Sequence, residues 1–139
     1  MKPITVLLVD DFTLVRKEYK KLLESEADLE VVGEAKNGDE AVALVKQLQP
    51  DVVLMDMLMP LVNGIEATRQ IREDFPATKV LMLSELYDDI YVAEAMNAGA
   101  MGYLIKHTAA SCVGEAIREV HKGKTFFSPS IPKHLHRRN

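Results

Sequence analysis

The stretch Asp51-Val52-Val53-Leu54-Met55-Asp56-Met57-Leu58-Met59-Pro60 places the tightest limit on how this chain folds. An apolar run ends abruptly on Asp56. Such a run has no polar face, which suits a central strand covered on both sides. A carboxylate at the carboxyl end of that strand lies on the edge where open α/β sheets bind ligands. Pro60 stops further pairing, and Asn63-Gly64 signals a turn before the next helical pattern. Taken alone, Asp56 reads first as a loop cap. Its neighbours in the fold decide the matter.

Four other segments have the same build. Thr5-Val6-Leu7-Leu8-Val9 ends at Asp10-Asp11, Lys79-Val80-Leu81-Met82-Leu83 ends at Ser84, and Met101 to Ile105 ends at Lys106. Leu29 to Ala35 is a further strand, flanked by polar residues and placed nearer the sheet edge. Helical patterns lie between them. Phe12, Val15, Tyr19, Leu22 and Leu23 recur on one face, with Arg16, Lys17, Lys20 and Lys21 between. Ala41, Val45 and Leu48 line a second helix after Asn37-Gly38, closed by Pro50. Ile65, Thr68 and Ile71 follow Gly64. Val92, Ala95 and Met96 follow Asp88-Asp89, and Asn97-Ala98-Gly99 stops that helix. Val113, Ala116, Ile117 and Val120 line the last helix, ended by Gly123.

Strand starts recur about every 20 to 28 residues, the length of a βα unit, which predicts an α/β fold. The expected architecture is a single doubly wound parallel sheet of five strands with five helices. Right-handed crossovers bring every carboxyl end to one edge, so Asp10, Asp11, Asp56, Ser84 and Lys106 converge. A length of 139 residues fits one core, and the domain is read as residues 1–124, with 125–139 the start of a linker or a flexible tail. A net charge of −4 supplies no basic field for nucleic acid. The single Cys112 excludes an internal disulfide and fits a reducing cytoplasm. No apolar run reaches the ~18 residues of a membrane span.

Three carboxylates brought together repel one another unless protonated or neutralised. Oxygen ligands of this kind suit Mg²⁺, or Mn²⁺ in its place. Three aspartates, one divalent cation and the Lys106 ammonium sum to a neutral site. Such a site can take a phosphoryl group, with Asp56 as nucleophile, Ser84 donating to one phosphate oxygen and Lys106 pairing another. With no His or Cys at these strand ends, a hydrolytic triad is not available.

With these motifs the chain resembles the receiver domain of two-component response regulators over roughly residues 4 to 123. Asp10-Asp11, Asp56 with Met59-Pro60 and Gly64, Ser84 and Lys106 carry the resemblance. It implies a flavodoxin-like strand order of 2-1-3-4-5 and a cytoplasmic phosphoprotein. Asp56 would accept phosphate from a sensor histidine kinase's phosphohistidine. The resemblance implies Mg²⁺ on Asp11 and Asp56, with Asp10 acting through water and the Leu58 backbone carbonyl as a further ligand. It also implies a switch pair, Ser84 and Tyr103, in which the hydroxyl moves toward phosphate and the ring turns inward. The domain would not be a conventional enzyme, yet would catalyse its own phosphorylation and dephosphorylation. Asp88-Asp89, Ala98-Gly99-Ala100, Gly102-Tyr103-Leu104 and Phe127-Ser128-Pro129 are most similar to the NarL/FixJ/LuxR-type subfamily. That implies transcriptional output through a helix-turn-helix domain beyond this chain, DNA contact only through that domain, and homodimerisation on phosphorylation.

Departures from the family pattern carry their own expectations. Glu85 stands where a small residue is usual and is expected to gate the site, crowding a phosphodonor. Leu58 and Leu86 flank the route of the attacking water and should lengthen the phosphoryl lifetime. His107 replaces a common Pro, so the bond after Lys106 is expected to be trans. Among rivals, a flavodoxin would not place Asp10-Asp11 against a phosphate, and a Rossmann enzyme would need Gly-x-Gly-x-x-Gly. The strongest rival is a pseudo-receiver that binds proteins without being phosphorylated.

Overall fold

The computed structural model describes residues 2–57, 63–85 and 88–136. Five strands form in the expected places: β1 (Ile4–Val9), β2 (Leu29–Ala35), β3 (Val52–Asp56), β4 (Lys79–Ser84) and β5 (Gly102–Ile105). The helices between them are α1 (Thr13–Glu24), α2 (Gly38–Leu48), α3 (Gly64–Asp74) and α4 (Asp89–Ala98). After β5 come a single turn, α5 (Lys106–Ala109), and then α6 (Val113–His121). The sheet is parallel, with order β2-β1-β3-β4-β5-β6. β2 is an edge strand, as its polar flanks suggested.

Two expected counts need correction. Among the described residues, Phe126–Phe127 adds a sixth strand, β6, beside β5, and the turn at Lys106 raises the α-helices to six. Both elements are too short to show a period in sequence. Beyond β6 the chain stays on the domain. Ser128 donates its N–H to the Tyr103 carbonyl at 3.0 Å. The Ser128 hydroxyl accepts the Ile105 N–H at 2.9 Å. Ile131 is buried, and the Phe127 and His136 rings stack at 3.9 Å.

Local chemistry explains where the helices begin and end. Asn37 and Asn63 accept the N–H groups of Glu40 and Glu66, at 2.8 and 2.9 Å, capping α2 and α3. Asp88 accepts the Ile90 N–H and starts α4. Gly99 ends α4 at φ 108°, a left-handed conformation that glycine adopts without penalty.

The strands' two-residue period divides the core into two layers. Leu7, Val9, Val53, Met55, Val80 and Met82 face α2, α3 and α4 through Ala41, Val45, Ile71, Val92 and Met96. Val6, Leu8, Val52, Leu54, Leu81 and Leu104 face α1 and α6 through Tyr19, Leu23, Ile117 and Val120. All five residues of β3 are buried, as an apolar run in a central strand requires. Truncating Ile117 to alanine would cost about 2–5 kcal/mol. Asp10, Asp56, Ser84 and Lys106, at or just after the carboxyl ends of β1, β3, β4 and β5, therefore share the carboxyl edge of the sheet.

Candidate phosphoacceptor site

The topology puts the predicted groups on one edge. Asp10 and Asp11 follow β1, Asp56 ends β3, Ser84 ends β4 and Lys106 follows β5. Asp10, Asp56 and Ser84 are buried. One oxygen from each of Asp10, Asp11 and Asp56 lies within 4.8 Å of the others. The Lys106 ammonium stands 2.9 Å from Asp10 Oδ2 and 3.5 Å from Asp56 Oδ1. Asp56, Ser84 and Lys106 line one cavity of about 180 Å³, together with Phe12 and Glu85.

Backbone geometry makes room for the cluster. A side chain on Gly64 would place its Cβ 2.3 Å from the Asp56 carbonyl oxygen. Only glycine lets α3 start so close behind β3, where its N–H reaches the Met57 carbonyl at 2.9 Å. Asp10 closes its own turn by accepting the Phe12 N–H on Oδ1 at 2.9 Å.

The electrostatics are unbalanced within the protein. Burial alone would lower the Lys106 pKa. The hydrogen bond and charge of Asp10, with the charge of Asp56, outweigh it and hold the ammonium above the ordinary lysine range. One ammonium still faces three acids. Apart from the Lys106 ion pair, Asp10 Oδ2 has no partner among the described residues. Asp11 Oδ1, also shielded from solvent, has none there either. Orphaned buried carboxylate oxygens are costly unless something cationic meets them. An all-oxygen donor set of charge −3 beside one ammonium fits a hard divalent cation such as Mg²⁺.

Tyr103 is fully buried on β5, with its hydroxyl 3.6 Å from the Met57 sulfur. Burial raises its phenol pKa, and a hydrogen bond with Ser84 pulls the other way. The two residues singled out as a switch pair are therefore in contact, and the ring, expected to turn inward on phosphorylation, is already inside. Glu85 is exposed and lines the cavity mouth. It also lines an adjoining groove of about 370 Å³ with Val15, Glu18, Tyr19, Lys106 and His107. Leu58, with its carbonyl, Met59, Pro60 and Leu86 lie outside the described residues. No cis peptide occurs among the described residues, so the Lys106–His107 bond is trans as expected.

Two site residues escaped the sequence reading. Apolar spacing alone puts Phe12 on the buried face of α1. Instead it precedes that helix, is 62% exposed and forms one wall of the cavity. Its position directly after Asp10-Asp11 was the available signal. By residue type Arg16 is one more polar residue between apolar ones. Its guanidinium folds back one turn to the Asp10 carbonyl at 2.5 Å.

Comparison with known proteins agrees with this geometry. The sequence profile of the response regulator receiver domain matches residues 6–118. The response regulator protein VraR of Staphylococcus aureus is 42% identical over 128 residues, which cover 92% of this chain and 61% of VraR. The chain therefore spans less than two thirds of that relative. A LuxR-family two-component response regulator from an Aurantimonas species superposes with a TM-score of 0.91 at 34% identity, covering 96% of each chain. The signal receiver domain of the response regulator NarL from Mycobacterium tuberculosis gives 0.86 at 31% identity, covering 89% of this chain and all of that one. A profile match over most of the chain, on a fold that gathers the acids, hydroxyl and ammonium at one edge, leaves a single assignment: the chain belongs to the response regulator receiver domain family of two-component systems.

Proposed function

We propose that this receiver takes a phosphoryl group on Asp56 from the phosphohistidine of a sensor histidine kinase. A carboxylate oxygen of Asp56 attacks phosphorus, the P–N bond breaks, and its electron pair leaves on the imidazole nitrogen. Lys106, already within 3.5 Å of Asp56, pairs with one phosphoryl oxygen. Ser84 donates its hydroxyl to another. Asp10, Asp11 and Asp56 would hold Mg²⁺ or Mn²⁺, which when bound would offset charge on the phosphoryl oxygens. Hydrolysis of the acyl phosphate resets the site.

Turning the Ser84 hydroxyl toward phosphate withdraws its hydrogen bond from Tyr103, which carries the signal into β5. The Ser84–Tyr103 hydrogen bond is what supports this role. Glu85 gates entry and disfavours small anionic donors. The kinase's histidine enters past Phe12 and Glu85, beside the groove that runs along α1 to His107. Residues 125–139 lead toward a helix-turn-helix output domain, phosphorylation favours a homodimer, and the whole works in the cytoplasm.

One observation carries this reading: Lys106 bridges Asp10 and Asp56 in a cavity that Ser84 also lines. The experiment is incubation of the chain with acetyl phosphate, with and without Mg²⁺, followed by peptide mass spectrometry. We expect one acyl phosphate, on Asp56, formed only with the metal. A chain that stays unmodified under all conditions would instead be a pseudo-receiver.

A further inference from the structure

We infer that Arg16 is a positioning residue for the cation site, acting through the peptide that joins Asp10 to Asp11. The inference rests on the phosphoacceptor reading above and adds a part that reading does not use. Every polar atom of Asp10 has a partner. Its N–H donates to the Ala35 carbonyl at 3.0 Å. Oδ1 accepts from Phe12, and Oδ2 pairs with Lys106. Its carbonyl oxygen accepts from Arg16 Nη1. That carbonyl belongs to the peptide from which Asp11 departs, so the bond fixes the plane that aims the Asp11 side chain.

Asp11 depends on this backbone control. Its Oδ1 is buried without a partner among the described residues, so no hydrogen bond there steers it toward Asp56. Arg16, by contrast, is itself held. Nε donates to Glu34 Oε1 at 3.1 Å and Nη2 to Thr13 Oγ1 at 3.3 Å. Its side chain is 14% exposed, unlike an ordinary surface ion pair. Glu34 and Ala35 are adjacent on β2. The edge strand thus grips the acidic turn twice, once through the Ala35 carbonyl and once through Arg16.

Charge and position predict opposite results. If Arg16 were only a nearby positive charge, removing it would make the site more negative and tighten Mg²⁺ binding. If it positions Asp11, removing it loosens the ligand set and weakens binding. Loss of an outer-shell partner typically costs 10–100-fold in metal affinity.

The test is calorimetric titration of the purified chain with Mg²⁺, paired with hydrogen exchange at the Asp10 amide, which donates to Ala35, in metal-free protein. We expect Arg16→Ala to bind Mg²⁺ about 10-fold more weakly, the lower end of that range, and to exchange the Asp10 amide faster. Arg16→Lys, which keeps the charge but loses the fork, should move the same way; it decides the question if Arg16→Ala does not fold. Unchanged or tighter binding in the variant, beside a wild type that binds, overturns this inference alone. A wild type that binds no Mg²⁺ overturns the phosphoacceptor reading and this inference with it.

Discussion

Two aspartates bracket β3, and their surroundings could hardly differ more. Asp51, at the amino end, accepts the Thr5 N–H at 2.9 Å and the Thr5 hydroxyl at 3.1 Å on one carboxylate oxygen. Its own N–H is met by Thr5 as well. It ties β3 to β1 with neutral partners and asks for nothing more. Asp56, at the carboxyl end, is buried among two further acids and shares one ammonium with Asp10. A carboxylate surrounded by neutral donors stabilises the fold. One placed among like charges destabilises it until a cation arrives, and that debt is the signature of a site.

The largest effect that could break the contrast is the response to metal. At a free Mg²⁺ concentration 100 times the dissociation constant, the wild type should gain about 2.7 kcal/mol of unfolding free energy. Denaturant unfolding should show the same gain in Asp51→Ala and almost none in Asp11→Asn. A second test compares the two aspartates without metal. Asp51→Ala leaves the Thr5 donors unmet and should cost about 1–3 kcal/mol. Asp56→Asn removes one of three like charges, worth about 1–4 kcal/mol per pair at 4 Å, set against its attraction to Lys106. It should therefore leave stability unchanged or raised. Equal losses at the two positions would erase the distinction.

Lys106 sharpens the comparison through pH. Its pKa is raised in the folded protein, so the stability it contributes is fully present below the ordinary lysine value of 10.5 and fades as pH climbs through the folded value. The stability difference between wild type and Lys106→Met should be flat from pH 6 to 9, by urea unfolding, and shrink only above about 10.5. The smallest effect belongs to Glu85. Glu85→Ala should speed labelling by acetyl phosphate a few-fold, seen in single-turnover time courses, because one negative charge leaves the mouth of the cavity.

Sequence patterns reached most of this arrangement for a physical reason. The apolar runs report burial on both faces of the sheet, and the phase of their polar ends reports which edge each end shares. That was enough to place Asp10, Asp11, Asp56, Ser84 and Lys106 together. What remained hidden depends on contacts without a period. β6 is two residues long and is held by pairing with Gly102 and Tyr103. Phe12 matches the spacing of α1's apolar face, yet the helix starts at Thr13, which leaves Phe12 outside that face. Leu14, likewise apolar, is 74% exposed. Arg16 works by folding its side chain back on a backbone carbonyl, which no pattern of residue types encodes.

The most direct test sets the two bracketing aspartates side by side: phosphoryl incorporation from acetyl phosphate, in Mg²⁺, by wild type, Asp51→Ala and Asp56→Asn, read by intact-protein mass. The account predicts one phosphoryl group on wild type and on Asp51→Ala, and none on Asp56→Asn. Incorporation by Asp56→Asn equal to wild type would contradict it.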